Sequence, residues 1–343
     1  MAMKKIPVED AVGMVIPHDL TQIVKGKKKG PAFKKGHIIR ESDIPLLKDI
    51  GKYNIYVLQL GKDDVHEDDA AKALAKAAAG DNIVYDDAPV EGKISFRSEI
   101  DGILRVHKEA LYRFNLLGDV MLATLHQDMV VKKDMQVAAG RAIPLVIKRE
   151  ILDKAVSIAK EAGGLIHVSP WKLKRAAIVV TGREVFEGRI EDKFGPAMTK
   201  KLGDYGIEVV SVRKAPDDEA QIAEEIKNSL AEGAQLILCT GGMSVDPDDV
   251  TRAAIAKAGA TDIVYGSPVL PGAMFLISYL NGVPVLGIPA CGMFFKITVL
   301  DLILPKVLAG DKIGREYLAS LGHGGLCMNC KKCKFPICPF GKN

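Results

Sequence analysis

The sequence predicts an α/β fold in three parts: a β-rich N-terminal region (1–170) of one or two subdomains, a doubly wound, mostly parallel sheet (174–312) and a small cysteine-rich tail (313–343). Three observations lead to this prediction. After residue 174, short apolar runs alternate with helical segments. Before it, the apolar stretches are shorter and turn residues more frequent. Four of the six cysteines lie between positions 327 and 338.

Each element of the predicted α/β domain has a local signal. Strands are apolar runs closed by glycine or polar residues, and helices carry apolar residues at helical spacing before a glycine. In chain order we predict a strand at 177–180, a helix at 193–205, a strand at 207–212, a helix from 216, a strand at 236–239, a helix at 247–257 and a strand at 283–288. Such a succession implies a sheet that binds ligands at the carboxyl ends of its strands.

Composition excludes some classes of function. Of 343 residues, 48% are hydrophobic, 26% charged and only 6% aromatic, and the net charge is +4; this is ordinary for a globular protein and disfavours a nucleic-acid partner. Residues 263–295 lack charge, but their prolines and glycines break them into pieces too short to span a membrane. The first residues lack the apolar core of a signal peptide. We therefore expect a cytoplasmic protein that binds neither membranes nor nucleic acid.

The loop that follows the strand at 236–239 is the strongest ligand signal. Gly241 and Gly242 let the backbone turn sharply and approach a ligand, and free N–H groups with the Ser244 hydroxyl suit a phosphate. Asp246 and Asp249 suit a hard cation such as Mg²⁺. The alternative is an ordinary strand-to-helix turn whose aspartates cap the helix.

Five short motifs follow one another along the domain in an order that is typical of one known family. They are Thr181-Gly182-Arg183-Glu184, then Thr240-Gly241-Gly242-Met243-Ser244, then Asp249, then Pro271-Gly272, and lastly Pro289 with Cys291 and Gly292. In this order they resemble the molybdopterin-binding domain shared by molybdopterin molybdotransferases and adenylyltransferases. The resemblance implies that these residues and Asp246 bind molybdopterin or the molybdenum cofactor, with Asp249 as the catalytic residue, and that the protein forms a homo-oligomer.

The resemblance leaves three functions open. The first is an enzyme of molybdenum (or tungsten) cofactor biosynthesis, a molybdotransferase-like enzyme that inserts metal into molybdopterin. The second is a non-catalytic carrier or sensor of the finished cofactor that docks on a molybdoenzyme or a maturation factor. The third is a nucleotide- or pterin-processing enzyme built on the same domain.

Two departures from the family pattern bear on this choice. Arg183 replaces an acidic or amide residue and supplies a phosphate-binding fork. Ala290-Cys291-Gly292 stands where the family has Gly-Asn-Pro, and this favours binding over transfer. Cys291 is expected to face the ligand.

The tail carries a second signal, the run Cys327-x2-Cys330-x2-Cys333-x4-Cys338-Pro339. In a cytoplasmic protein such clustering favours a metal over disulfides. The spacing is one residue from that of bacterial ferredoxins, which favours a [4Fe–4S] cluster. A Cys₄ Zn²⁺ site fits the ligand count as well, and a disordered, redox-labile tail is the remaining alternative.

Overall fold

The computed structural model describes residues 4–14, 16–24, 28–35, 37–57, 62–90, 92–243 and 250–342. The chain divides into two compact units. One comprises 1–100, 104–127 and 131–168, and the other comprises 101–103, 128–130 and 169–343. Among the described residues, no helix combines the length and the apolar character that crossing a membrane requires.

The chain up to Ser169 is rich in short strands, as predicted. Its strands are β1 (Lys4–Pro7), β2 (Leu20–Val24), β3 (Lys28–Phe33), β4 (Asn54–Val57), β5 (Asp64–His66), β6 (Ile83–Tyr85), β7 (Lys93–Ser98), β8 (Gly102–Val106), β9 (Val120–Thr124), β10 (Val130–Val131), β11 (Gln136–Ala142), β12 (Val146–Lys148) and β13 (Ile166–Ser169). Its helices are α1 (Ile44–Asp49), α2 (Glu67–Ala78), α3 (Lys108–Asn115) and α4 (Arg149–Glu161), with 3-10 turns at Val8–Ala11 and Glu41–Asp43.

Two separate hydrophobic clusters lie in this part of the chain. The first is built from buried residues between Ile6 and Ile55. The second joins α2 and α4 to the sheet of order β6-β7-β11-β9. Helix α2 presents the buried residues Ala71, Ala75 and Ala78 at helical spacing, so a stripe of small side chains lets it lie close against the sheet.

The following part of the chain alternates strands and helices. Its elements are β14 (Arg175–Thr181), α5 (Arg183–Phe186), α6 (Phe194–Gly203), β15 (Glu208–Ala215), α7 (Glu219–Ala231), β16 (Leu236–Thr240), α8 (Thr251–Lys257), β17 (Thr261–Tyr265), β18 (Leu276–Leu280), β19 (Val283–Ile288), α9 (Cys291–Phe294), α10 (Val299–Leu308) and α11 (Arg315–Ser320). In the described residues these strands form one sheet in the order β15-β14-β16-β19-β18-β17.

The sheet is mostly parallel and doubly wound, which confirms the predicted fold class. Strands β14, β15, β16 and β19 pair in parallel, whereas β18 and β17 pair antiparallel at one side. Successive residues of β14 point to opposite faces. Ile178 and Val180 join the cluster that holds Leu202 of α6 and residues of α10, while Ala177 packs in the cluster that holds Ile222 of α7.

The antiparallel hairpin of β18 and β19 was not predicted as two strands. Its two-residue turn is Asn281-Gly282, with φ of 52° and 83°. Both values are positive, as a type I′ turn requires, and Asn-Gly is a preferred sequence for that turn. The sequence therefore contained a signal for this hairpin.

Most predicted elements differ from the observed ones only at their ends. Helix α7 begins at Glu219 because the Asp218 carboxylate accepts a hydrogen bond from the Gln221 N–H at 2.9 Å and caps the helix. Strand β15 continues to Ala215, beyond the predicted end at residue 212. The predicted start of the next helix at 247 lies outside the described residues, and α8 is described from Thr251.

Candidate functional site

The carboxyl ends of three parallel strands meet at one edge of the sheet. Val180 lies opposite Thr240, and Thr240 in turn lies opposite Ile288. The loops that follow β14, β16 and β19 therefore leave the sheet side by side. These are the loops in which the sequence predicted ligand-binding residues.

The antiparallel strands bring two further segments to the same edge. Leu276, at the start of β18, pairs with both Gly287 and Tyr265. The Pro271-Gly272 turn, which precedes β18, and the end of β17 thus lie near the loops of the parallel strands.

All the predicted molybdopterin-binding residues that the structure describes lie in the loops at or next to this edge. These residues are Thr181, Gly182, Arg183, Glu184, Thr240, Gly241, Gly242, Met243, Pro271, Gly272, Pro289, Cys291 and Gly292. The other predicted positions, Ser244, Asp246 and Asp249, lie outside the described residues. We call the thirteen described residues the loop site.

Two glycines bring the central loop of the loop site against its neighbours. Gly241 has φ of 91° and Gly242 has φ of 55°, a region that side chains disfavour. A Cβ atom on Gly241 would lie 2.6 Å from the Thr181 carbonyl oxygen, and one on Gly242 would collide with the Thr251 hydroxyl. Glycine is therefore required at both positions, for backbone conformation and for space.

Buried threonine hydroxyls connect the loops beneath these glycines. The Thr181 hydroxyl donates to the Thr240 carbonyl at 3.0 Å and lies 3.0 Å from the Thr251 hydroxyl. Because a hydroxyl carries one proton, Thr251 is the donor in the second contact. The Thr240 hydroxyl is buried and has no partner among the described residues. Sequence reasoning missed Thr251, whose role depends on a partner 70 residues away.

Tyr265 is a second residue that sequence reasoning missed. Its hydroxyl donates to the Met243 carbonyl at 2.8 Å, and the Arg252 guanidinium lies 4.8 Å from the centre of its ring. The Met243 side chain is buried against Gly287, where a Cβ would lie 2.7 Å from the sulfur. Met243 is thus fixed at both backbone and side chain, and it anchors the central loop as it leaves the described residues.

The loop after β14 is held through its backbone. The Arg183 N–H donates to the Asp217 carboxylate at 2.8 Å, and the Phe186 N–H donates to the Gly182 carbonyl at 2.9 Å. Asp217 follows the end of β15, so it also stands at this edge.

The loop after β19 turns immediately into α9. The Gly292 N–H donates to the Pro289 carbonyl at 2.9 Å. Cys291 is half-buried, and this burial raises the pKa of its thiol above the ordinary range. Burial thus disfavours the thiolate form of Cys291.

The four tail cysteines line one cavity. Its volume is about 430 Å³, and its walls include Cys327, Cys330, Cys333 and Cys338. All four thiols are free. Within the described ranges, no three histidine, cysteine, aspartate or glutamate side chains are grouped so that they could hold a metal ion.

Comparisons with known proteins match two separate segments. Residues 177–309 match the family described as "Probable molybdopterin binding domain". Residues 5–59 match a family described only as a domain of unknown function. The first match contains every described residue of the loop site.

Similar proteins of known sequence include CinA-like proteins. One from Mycobacterium sp. (strain MCS) is 36% identical over 90 residues, which are 26% of this chain and 21% of the relative. One from Thermosipho melanesiensis is 36% identical over 93 residues, which are 27% of this chain and 23% of the relative. The chain thus spans between a fifth and a quarter of the length of these relatives.

Among solved structures, the CinA protein of Thermoplasma acidophilum is similar to 40% of this chain and 98% of its own, with 18% identity and a TM-score of 0.36. The molybdopterin biosynthesis enzyme MoaB of Thermus thermophilus gives 19% identity, the same two coverages and a TM-score of 0.34. These TM-scores are low, so the family match carries the assignment. On that match, residues 177–309 of this chain form a domain of the molybdopterin-binding family.

Proposed function

We propose that this protein binds molybdopterin or the molybdenum cofactor at the loop site and takes part in molybdenum cofactor biosynthesis. One observation carries the proposal. Within the segment that matches the family, three loops rich in glycine converge at the carboxyl edge of the parallel strands. That edge is where open α/β sheets bind their ligands.

The described residues supply groups suited to an anionic pterin. Gly241 and Gly242 leave the backbone without side chains, so a phosphate can approach the N–H groups of the loop. Arg183 adds a cation that favours phosphate. We propose that Ser244 and Asp246, which continue this loop in the sequence, complete the ligand shell.

The catalytic version of the function is a molybdotransferase-like insertion of molybdenum or tungsten. In it, Asp249 organises Mg²⁺ or the oxoanion, and the central loop holds the pterin phosphate. The carboxylate would serve because hard cations prefer oxygen ligands. The proposed assembly is a homo-oligomer.

A carrier or sensor of the finished cofactor is the second candidate, and the half-buried Cys291 favours it. Cys291 stands where the family usually has Gly-Asn-Pro, and its sulfur, once deprotonated, would suit a soft metal such as that of the finished cofactor. In this version, the tail cysteines bind a metal, either zinc or an iron–sulfur cluster, and the partner is a molybdoenzyme or a maturation factor.

A nucleotide- or pterin-processing enzyme is the third candidate, since the same domain type occurs in the CinA-like proteins.

Anaerobic purification followed by metal analysis and extraction of bound pterin tests the function. The extracted pterin is oxidised to its fluorescent form and compared with molybdenum and tungsten per chain. Pterin with stoichiometric metal supports the carrier, and metal-free pterin supports the insertion enzyme. Absence of pterin after incubation with molybdopterin contradicts both, and retention of a mononucleotide instead supports the third candidate.

A further inference from the structure

The tail folds back on itself and packs against the α/β domain. The Gly341 N–H donates to the Gly324 carbonyl at 3.0 Å, so the segment that holds the four cysteines is closed at its base. Phe340 is buried in the same hydrophobic cluster as α10, and Cys327 and Cys338 pack half-buried against that cluster. The cysteines are thus presented by a folded element, which disfavours the disordered alternative.

The cavity enclosed by this element has the composition of a thiolate-ligated site. The four cysteines occupy its wall together with apolar side chains and three lysines. The lysines are Lys296, Lys331 and Lys334, and the apolar residues include Phe294 and Phe335. Apolar walls limit access of water to a metal centre, and lysines balance the net negative charge of a thiolate cluster.

We propose that this cavity holds a [4Fe–4S] cluster ligated by Cys327, Cys330, Cys333 and Cys338. Each thiol loses its proton and binds one iron of a cluster assembled from two ferrous ions, two ferric ions and four sulfides, so that no separate oxidant is required. A single Zn²⁺ ion would draw all four sulfurs to about 2.3 Å from one point. A cluster places each thiolate on a different iron, so its ligands surround a volume. Four thiols around a cavity of about 430 Å³ match that requirement.

The sequence spacing points the same way. Cys327, Cys330 and Cys333 follow one another at the C-x₂-C-x₂-C interval of bacterial ferredoxins, and Pro339 follows the last cysteine. The interval to Cys338 is one residue longer than in those proteins.

The cavity adjoins segments that continue into the loop site. The Cys327 N–H donates to the Leu270 carbonyl at 2.9 Å, and the Leu270 N–H donates to the Gly325 carbonyl at 2.9 Å. Leu270 immediately precedes the Pro271-Gly272 turn. Phe294, in the cavity wall, ends the helix that begins at Cys291, about 5 Å away along the axis.

A cluster here would therefore lie close to two loops of the loop site. The ligand of the loop site rests on the proposed function, whereas the cluster site does not.

Anaerobic reconstitution of the full chain with equal amounts of ferrous and ferric iron and with sulfide tests the cluster directly. After desalting, we expect about four irons and about four sulfides per chain, with Mössbauer parameters of a [4Fe–4S] centre and an EPR signal after reduction. A parallel incubation with Zn²⁺ should give weaker binding that iron and sulfide displace. A stoichiometric Cys₄ zinc site that resists iron and sulfide would overturn the proposal, as would loss of iron on desalting.

Single substitutions assign the ligands. Cys330 and Cys333 are exposed, so Cys330→Ser and Cys333→Ser should leave folding intact while lowering iron and sulfide below four per chain. Cys239→Ala is the matched control because Cys239 is buried in β16, and it should retain the full cluster. Full clusters in both serine variants would overturn the ligand assignment.

The cluster measurements use no pterin, so they stand independently of the proposed function. If molybdopterin fails to bind while iron and sulfide assemble, the function is wrong and the cluster site is retained. If molybdopterin binds and no cluster assembles, the reverse holds.

Discussion

The Thr251 hydroxyl donates to the Thr181 hydroxyl at 3.0 Å and fastens the start of α8 to the end of β14. The Thr181 hydroxyl in turn donates to the Thr240 carbonyl, also at 3.0 Å. These two hydrogen bonds connect the segments that lie beneath Gly241 and Gly242. The position of the loop therefore depends on two hydroxyls that are 70 residues apart in sequence.

Thr251→Val should separate this hydroxyl from the packing of its side chain. Valine keeps the volume but removes the donor, so we expect a loss of about 1 kcal/mol in the free energy of unfolding. We also expect weaker molybdopterin binding, because the loop loses its support. Urea unfolding and a binding titration measure the two effects. Thr251→Ser keeps the hydroxyl, so binding as weak in Thr251→Ser as in Thr251→Val would show that the methyl group, and not the hydrogen bond, supports the loop.

Gly241→Ala tests the close approach at the loop site. Gly206→Ala is its matched control, because Gly206 has φ of 71° and a Cβ placed there would have no described atom within 4 Å. The control should lose about 1 kcal/mol of unfolding free energy, the cost of a left-handed residue. Gly241→Ala should lose clearly more, since its Cβ would lie 2.6 Å from the Thr181 carbonyl oxygen. Equal losses in chemical denaturation would contradict the packing argument.

Tyr265→Phe tests the anchor of Met243. The phenyl ring keeps its place beside Arg252, but the Met243 carbonyl loses a hydrogen bond of 2.8 Å. We expect a destabilisation of about 1 kcal/mol and weaker pterin binding. Tyr53→Phe removes a hydroxyl from a side chain that is 63% exposed, and it should change stability by less than about 0.5 kcal/mol. Unchanged pterin affinity in Tyr265→Phe would show that the anchor does not matter for the ligand.

Cys239 predicts a pH dependence of stability. Complete burial raises the pKa of its thiol to about 12 from an ordinary value of 9.0. Between these values the unfolded thiol ionises while the folded thiol keeps its proton, so the contribution to stability present below pH 9 is lost as the pH rises toward 12. Cys239→Ala should show a shallower decline in unfolding free energy over this range. If stability declines as steeply in Cys239→Ala as in the unsubstituted protein, the Cys239 thiol does not cause this pH dependence.

The parallel half of the loop site could be predicted from sequence because each of its loops directly follows a short apolar strand. Thr181-Gly182 and Thr240-Gly241-Gly242 are of this kind, and the β–α–β rule then places both at one edge. Thr251 and Tyr265 could not be found in this way. Their roles depend on hydrogen bonds to Thr181 and Met243, which local periodicity does not encode.

The tail shows the same division between local and long-range information. The spacing of Cys327, Cys330, Cys333 and Cys338 marked them as a group. That they line one cavity depends on the contact of Gly324 with Gly341 and on Leu270, which are distant pairings. The residues at 244–249, which the sequence predicts to complete the loop site, lie outside the described residues.

An anaerobic titration of the full chain with molybdopterin, with a mononucleotide as competitor, tests the central claim most directly. We predict saturable binding of about one pterin per chain that Gly241→Ala abolishes, that Gly206→Ala retains and that the mononucleotide does not displace. Absence of saturable binding by the unsubstituted protein, or equal binding by Gly241→Ala, would contradict a pterin site at the loop site.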